Sequence, residues 1–306
     1  MGWTTAEMPS QAGRLAIVTG ANAGLGFETA LALAAAGAEV ILAARNPDKG
    51  EAAVRRILGR HHAARVRLEL VDLASLASVR EFAVRIRERH DRLDLLINNA
   101  GVMMPPRRET TQDGFELQFG VNYLAHFALT AQLLPALREA PAARVVNLSS
   151  GAHHTGAIDF DDLQWERRPY RPWPAYSQSK LAMLLFSLEL QRRSDAAGWG
   201  LASIGAHPGF ARTELIANGP GADSLMARLS GVLGFVISQS AADGALPTLY
   251  AATSPQAEGG RYYGPSRMFE MKGPPKRARV ASQARDVAAA ARLWQVSGRL
   301  TGATFG

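Results

Sequence analysis

The stretch RLAIVTGANAGLGFETALALAAAGA, residues 14–38, decides the fold of this chain. It opens with the short apolar run RLAIVTG (14–20), which is typical of a buried strand. Helical composition follows over residues 24–38 and closes at Gly37, a residue type that commonly ends a helix. The turn between the two segments carries three glycines: Gly20, Gly24 and Gly26. Glycines there allow a tight turn and let a pyrophosphate approach the helix N-terminus, so the stretch predicts a nucleotide-binding unit.

Alternation of strands and helices continues along the chain. Further predicted strands are 39–45, 65–73, 93–101, 143–151 and 200–209, and further predicted helices are 47–60, 75–90, 113–137 and 175–194. Such alternation predicts an α/β fold, a doubly wound parallel sheet of the Rossmann type with helices on both faces. An edge strand at 259–265 and a final helix at 284–300 complete the prediction. No repeat and no linker is found, so we expect a single domain over residues 1–306.

Composition excludes several classes of protein. The 306 residues are 47% hydrophobic and 20% charged, as in ordinary globular proteins. The absence of cysteine excludes disulfides, thiolate metal sites and cysteine nucleophiles. A net charge of +7 raises the possibility of nucleic-acid binding, but the arginines are spread along helical stretches, and the densest basic cluster, 272–280, is broken by prolines. We therefore expect no nucleic-acid partner. No segment has the apolar length of a membrane span or signal peptide, so we expect a cytoplasmic protein.

The second predicted strand ends in Arg45. Enzymes that use NAD usually place an acid at this point to bind the ribose hydroxyls of the adenosine. A guanidinium can instead form paired bonds to a 2′-phosphate. Lys49 adds a second cation nearby. A solvated surface arginine is the alternative, but the position favours NADP as cofactor.

The motif AYSQSKLAM (175–183) places Tyr176 and Lys180 four residues apart, on one face of a helix. A phenol has a pKa of about 10, and a nearby ammonium is expected to lower it by ~1–3 units. Tyr176 could then exchange protons near neutral pH. On spacing alone, a surface Tyr–Lys pair is the favoured explanation, because Tyr-x-x-x-Lys is a short pattern.

Other polar residues favour the catalytic interpretation. Ser149 and Ser150 follow the fifth predicted strand, at the sheet edge where reactive groups gather in open α/β sheets. A hydroxyl there could hold a substrate oxygen beside the tyrosine. Asn122 lies inside the preceding predicted helix, where its amide could hold water. His153 and His154 adjoin the serines, but no further ligand stands at metal spacing, and we interpret them as a structural pair.

Taken in order, these motifs resemble the short-chain dehydrogenase/reductase family. The motifs are TGANAGLG, Asp72 in VDL, NNAG, Asn122, VVNLSS, YSQSK, and HPG followed by Thr213. Within the family the chain is similar to the retinol dehydrogenase-like and WW-domain oxidoreductase-like branch, through ARNPDKGEAA, SSGAHHTG, HPGFARTEL and ARLWQVSG. The resemblance implies a catalytic tetrad of Asn122, Ser150, Tyr176 and Lys180.

The expected contacts to NADP run along the whole chain. They are Gly20, Asn22, Gly24, Leu25, Gly26, Arg45, Asp72, Leu73, Asn99, Ala100, Gly101, Tyr176, Lys180, Pro208, Gly209 and Thr213. The resemblance implies that Asp72 lies near the adenine and that Pro208, Gly209 and Thr213 lie near the nicotinamide. No metal is expected.

These observations predict an NADP(H)-dependent oxidoreductase that interconverts an aldehyde or ketone and an alcohol. Tyr176 is the expected acid and base, Ser150 orients the oxygen, and Lys180 with Asn122 relays the replacement proton. Two alternatives remain open: an idle NADP-sensing or scaffold protein on the same fold, and a nucleic-acid binder suggested by charge alone.

Two segments are expected on the substrate side. Ser150 and Tyr176 lie 26 positions apart, further than in many family members, because of an expected irregular loop at about 152–174. An apolar, glycine-punctuated segment at about 210–237 could act as a lid, together with Met103, Met104 and Trp173. Packing within the core is the other explanation for its apolar side chains. The lid favours a lipophilic substrate, and the sequence also allows a homo-oligomer.

Overall fold

Eight strands form one sheet in the computed structural model of the chain, which describes residues 2–210 and 239–305. The strands are β1 (Leu15–Thr19), β2 (Glu39–Ala44), β3 (Arg65–Leu70), β4 (Leu95–Asn98), β5 (Arg144–Leu148), β6 (Ala202–Ala206), β7 (Tyr262–Arg267) and β8 (Lys272–Arg277). Their order is β3-β2-β1-β4-β5-β6-β7-β8. Strands β1 to β7 pair in parallel and β8 is antiparallel to β7. The predicted fold class, a doubly wound α/β sheet, is confirmed.

Helices cover both faces of this sheet. They are α1 (Gly24–Ala35), α2 (Pro47–Arg60), α3 (Leu76–Arg89), α4 (Ala125–Arg138), α5 (Pro172–Ala197), α6 (Ala241–Thr253) and α7 (Val287–Thr301). One apolar core lies between the sheet and α3, α4, α5 and α7, and the second lies between the sheet and α1, α2 and α6. Successive residues of β1 alternate between the two cores, because side chains of a strand point to opposite faces. Both faces of the central strands are therefore buried, which explains their continuous apolar runs.

The strand order reverses between β1 and β4. β1 pairs with β2 on one side and with β4 on the other, so the chain runs outward in both directions from this point. The connections on the two sides of such a switch diverge and leave a crevice at the carboxyl ends of the strands. The turn after β1 and the segment after β4 face that crevice, which positions the candidate site.

The helix predicted over residues 113–137 is broken in the structure. A short helix at Leu117–Phe119 leads into a π-helical turn, Gly120–Leu124, before α4 begins. The Glu116 side chain accepts the N–H groups of the next helical residues and so starts the helix later than predicted. The local 3.6-residue pattern could not show this, because a π-turn adds one residue without changing composition.

The loop predicted over 152–174 is shorter and more regular than expected. A 3₁₀ turn occupies Gly151–Thr155, and α5 already begins at Pro172, three residues before the predicted start. Proline suits a first helical turn because its fixed φ matches the helix and its missing N–H needs no partner.

The C-terminal part differs most from the prediction. Residues 259–265 were predicted as the edge strand, but β7 spans Tyr262–Arg267 and has β8 as an outer neighbour. β8 is the proline-rich basic segment, in which no strand was predicted. Pro274 and Pro275 lack N–H groups, which a strand tolerates only at an edge. No helix was predicted over Ala241–Thr253, where α6 lies. Helix α7 begins three residues after the predicted start because Asp286 caps it.

Some expectations fall on residues that the structure does not describe. Apart from Phe210, the expected lid at 210–237 lies outside the described residues, and so does Thr213. Across residues 2–210 and 239–305, no helix has the length and apolar character needed to cross a membrane.

Candidate active site

Tyr176 and Lys180 lie one turn apart on α5. The Lys180 ammonium is 5.7 Å from the centroid of the Tyr176 ring, and the lysine is buried. Its Nζ donates a hydrogen bond to the Leu148 carbonyl at the end of β5, over 3.1 Å. The i, i+4 spacing thus brings both side chains to the carboxyl edge of the sheet.

The two serines after β5 point to different partners. The Ser149 hydroxyl is buried and donates to the Lys180 carbonyl over 2.7 Å, so it ties β5 to α5. The Ser150 hydroxyl accepts the N–H of Ala152 over 3.2 Å and lies beside the Tyr176 phenol, where it favours the phenolate. Ser150 is therefore the serine that can share a substrate oxygen with Tyr176.

Burial governs the ionisation of the pair. Desolvation raises the pKa of the Tyr176 phenol to about 12, and the hydrogen bond with Ser150 opposes that rise. Desolvation also lowers the pKa of the Lys180 ammonium to about 8. The pKa of Tyr176 is thus raised, whereas the sequence analysis predicted that it would be lowered. The cost of placing a phenolate out of water exceeds the attraction of an ammonium whose Nζ is turned to Leu148.

Asn122 lies in the π-helical turn and is fully buried. Its Oδ1 accepts the Val102 N–H over 2.7 Å, and its Nδ2 donates to the Val102 carbonyl over 3.0 Å and to Ser179 Oγ over 2.9 Å. Both amide hydrogens are thus bonded to protein. The expectation that this amide holds water does not match these contacts, in which the amide joins the segment after β4 to α5.

The turn after β1 packs closely against the segment after β4. A Cβ atom on Gly26 would lie 2.4 Å from the Gly20 carbonyl and 2.5 Å from Asn99 Nδ2, so only glycine permits this close packing. The residue before α1, Ala23, provides no side-chain cap to the helix N-terminus. Its first N–H groups are therefore free of side-chain capping and aimed at the crevice, which fits the diphosphate of a dinucleotide.

The adenosine end carries Arg45 and Asp72. The Arg45 side chain is 75% exposed and its guanidinium is 4.0 Å from the Asp72 carboxylate, a weak exposed pair. Asp72 also accepts the Ala74 N–H over 2.9 Å. Leu73 packs in the core beneath α3, so only its backbone remains to face a cofactor.

A cavity of about 280 Å³ joins the nucleotide crevice to the reactive groups. Eight expected site residues belong to its lining: Leu25, Asn99, Gly101, Ser150, Tyr176, Lys180, Pro208 and Gly209. The rest of the lining is Ser149 and an apolar wall of Val102, Met103, Met104, Leu148, Trp173 and Phe210. The remaining expected residues that the structure describes lie outside this lining: Gly20, Asn22, Gly24, Gly26, Arg45, Asp72, Leu73, Ala100 and Asn122.

Comparison with known proteins agrees with this arrangement. Residues 14–220 match the family model described as short chain dehydrogenase. The chain belongs to the short-chain dehydrogenase family. Retinol dehydrogenase 13 of Homo sapiens is 44% identical over 98% of this chain and 88% of that protein. Polyprenol dehydrogenase of Mus musculus is 43% identical over 98% of this chain and 87% of that protein.

Solved structures show the same fold. An uncharacterised protein from Mycobacterium paratuberculosis matches over 100% of both chains with a TM-score of 0.83 and 43% identity. The Pseudomonas aeruginosa RhlG/NADP active-site complex matches over 83% of this chain and 94% of that chain, with a TM-score of 0.66 and 25% identity. The predicted retinol dehydrogenase-like branch is confirmed. As a short-chain dehydrogenase of this branch, the chain is an NAD(P)-dependent oxidoreductase acting on alcohols and carbonyls.

Sequence reasoning missed one buried residue of this short-chain dehydrogenase. His126 donates from Nδ1 to the Asn122 carbonyl and contacts Thr19 Oγ1 through Nε2, each over 3.0 Å. Thr19 Oγ1 accepts the N–H groups of Asn99 and Ala100 over 2.9 and 3.0 Å. Burial lowers the pKa of His126 to about 4. The i, i+4 spacing from Asn122 is the sequence signal for this contact.

The loop before α5 is held by an acid and an arginine. The Asp162 carboxylate accepts the backbone N–H groups of residues 166 to 168, and those hydrogen bonds hold the pKa of that carboxyl below its usual range against the opposing effect of desolvation. Arg168 bonds Asp159 and Gln178 over 2.9 Å each and stacks on the Trp165 ring. The long insertion is thus fixed against α5. Within the described ranges, no group of three or more acids and histidines is arranged to hold a metal ion.

Proposed function

We propose that the chain is an NADP(H)-dependent oxidoreductase that interconverts a lipophilic aldehyde or ketone and its alcohol, with Tyr176 as the acid and base. One observation carries the proposal. The Tyr176 side chain, beside Ser150 and Lys180, lines a largely apolar cavity at the carboxyl edge of the sheet. A substrate carbonyl in that cavity would meet two hydroxyl groups at its oxygen.

The residues divide the chemistry between them. A bound nicotinamide cofactor supplies or accepts the hydride. In the reducing direction Tyr176 donates its proton to the substrate oxygen, and burial favours the neutral phenol that this step needs. Ser150 donates a second hydrogen bond to the same oxygen. Lys180, with its pKa lowered to about 8 by burial, can pass a proton back toward the phenolate.

Three observations support NADP as the cofactor. The uncapped N-terminus of α1 and the close packing at Gly26 fit a diphosphate. Arg45 is exposed at the end of β2 and can turn to a 2′-phosphate. RhlG, a solved relative at 25% identity, is described with NADP at its active site.

Arg45→Asp tests this cofactor choice. We expect the unchanged protein to prefer NADPH over NADH at least ~10-fold in kcat/KM, or about 1.4 kcal/mol, and the variant to lose that preference. A carboxylate at this place repels the 2′-phosphate and can bond the ribose hydroxyls. Arg65→Asp makes the same charge change at the amino end of the neighbouring strand β3, away from the carboxyl end of β2, and should leave the ratio unchanged. Equal use of both cofactors by the unchanged protein would contradict the proposal.

The apolar wall of the cavity supports a lipophilic substrate. Met103, Met104, Trp173 and Phe210 offer no charge to a substrate. The Met104 backbone is held in the left-handed region, at φ 55°, and its N–H donates to Gln118 Oε1 over 2.8 Å. The position of Met104 in this wall is therefore fixed by its backbone. Two similar proteins are named for retinol and polyprenol, both long apolar alcohols.

A series of straight-chain aldehydes tests the substrate class. Each methylene that the apolar wall buries should add up to ~0.8 kcal/mol of binding, so kcat/KM should rise with chain length until the cavity is filled. NADPH oxidation measured at 340 nm gives the profile. A flat profile, or a preference for sugar-like carbonyls, would reject the lipophilic pocket. A protein that binds NADPH but turns over no aldehyde or ketone would instead support the idle cofactor-binding alternative.

Three further expectations stay predictions: one domain, a cytoplasmic location and a homo-oligomer. Each has a direct measurement, by limited proteolysis, cell fractionation and light scattering respectively.

A further inference from the structure

His153 is bonded to the backbone of Ser150. Its Nδ1 lies 2.7 Å from the Ser150 carbonyl, and its own N–H donates to the same carbonyl over 3.1 Å. A carbonyl only accepts, so Nδ1 carries the hydrogen. Nε2 is then the acceptor for the Ala281 N–H at 3.3 Å. Both ring nitrogens are thus used, and the imidazole is held neutral in a single tautomer.

The C-terminal segment after β8 holds the same turn. The Gln283 side chain donates to the carbonyls of His153, His154 and Gly156 over 3.2, 3.0 and 3.3 Å. His153 is 1% exposed, whereas its neighbour His154 is exposed. The 3₁₀ turn that begins at Ser150 is therefore fixed by residues almost 130 positions later in the chain.

We propose that His153 is a positioning residue, which fixes the Ser150 backbone so that the Ser150 hydroxyl faces Tyr176. The inference rests on the proposed function, in which Ser150 and Tyr176 share the substrate oxygen. Ser150 itself has few other restraints: its hydroxyl accepts one N–H, from Ala152. Without the imidazole, the Ser150 carbonyl loses its shortest hydrogen bond, and the hydroxyl can move away from the phenol.

The groups around His153 and Tyr176 allow a pH-based test. Five titratable groups face them: His154 in the same 3₁₀ turn, Lys180 on α5, His207 just after β6, Tyr262 on β7 and Glu270 in the β7–β8 turn. Burial lowers the pKa of His153 to about 4, so this ring stays neutral where the enzyme would be assayed. The Ser150 hydrogen bond lowers the pKa of Tyr176. A displaced Ser150 should therefore raise the pKa at which the phenolate forms.

Four variants separate positioning from stability. His153→Leu removes both hydrogen bonds, and His153→Asn keeps an N–H where Nδ1 stands. His153→Gln can place an amide oxygen near the position of Nε2 but puts no N–H at the position of Nδ1. His154→Leu changes the exposed neighbour and is the matched control. The measurements are kcat and the pH profile of kcat/KM for alcohol oxidation with NADP, the direction in which the Tyr176 phenolate acts as base.

We expect His153→Leu and His153→Gln to lower kcat about tenfold, because small misplacements of a reacting group are costly. Their apparent pKa should move upward by up to about one unit, the range of a single hydrogen bond. His153→Asn should restore most of kcat and most of the original apparent pKa. His154→Leu should match the unchanged protein in both quantities. The Asn and Gln pair keeps the test valid if His153→Leu does not fold.

Two results would overturn the inference. One is an equal loss of rate at every pH with no shift in the apparent pKa. The other is an equal loss for the His153 variants and His154→Leu. If the unchanged protein oxidises no alcohol with NADP, the proposed function fails by itself. Crystal structures of the variants then test the inference independently of activity. A shift of Ser150 Oγ by about 1 Å in His153→Gln, with no shift in His154→Leu, would support it. An unmoved Ser150 Oγ in both variants would show that His153 does not position this serine.

Discussion

Tyr176→Phe is expected to lower kcat at least about 1,000-fold while NADPH binds as in the unchanged protein. The variant keeps the ring and removes a hydroxyl that lies in the cavity beside Ser150. With no proton donor at the substrate oxygen, the loss should appear in kcat and not in cofactor affinity. Steady-state turnover and NADPH fluorescence titration measure the two quantities.

Tyr250→Phe is the matched control for this change. Tyr250 lies on α6, on the opposite face of the sheet, where its ring contacts Trp3 and Tyr263. The same loss of one hydroxyl there should leave kcat unchanged. If Tyr176→Phe kept a tenth or more of kcat, another group would have to deliver the proton and the proposed mechanism would be wrong.

Gly26→Ala is expected to weaken NADPH binding by about 100-fold, or about 2.7 kcal/mol. The new Cβ would meet the Gly20 carbonyl at 2.4 Å and the Asn99 amide at 2.5 Å. Neither neighbour can move freely, because one is backbone and the other is bonded to the Thr19 carbonyl over 2.7 Å. The turn must therefore shift, and such overpacking typically costs ~1–3 kcal/mol.

Gly59→Ala makes the same chemical change where nothing lies within 4 Å of the new methyl group. It sits in α2 and should bind NADPH normally, with slightly higher stability because alanine favours a helix over glycine. Calorimetric titration gives both affinities, and thermal unfolding shows whether each variant is folded. Normal affinity in Gly26→Ala would mean that the turn after β1 does not hold the diphosphate.

Local patterns in the sequence were sufficient for the parallel part of the fold. A strand buried on both faces must be apolar throughout, so β1, β2 and β4 were visible as short apolar runs. Helix starts were visible where a cap was local: Asn46 accepts the Lys49 N–H at the start of α2, and Ser75 caps α3. The same holds for Tyr176 and Lys180, whose proximity follows from helical spacing alone.

Contacts between segments distant in sequence decided the edge of the sheet and the state of the side chains in the candidate site. β8 is a strand only because β7 offers it an edge, and the composition of KGPPKR gives no such indication. The direction of the Tyr176 pKa depended on how deeply α5 is buried, which spacing does not reveal. His126 and His153 looked like ordinary histidines, since their partners Thr19 and Ala281 lie more than 100 residues away. The sequence by itself determined which residues could do chemistry and at which sheet edge they gather, because those depend on local periodicity. Only the tertiary structure decided how each group is charged and held, because desolvation and long-range hydrogen bonds exist only once the chain is packed.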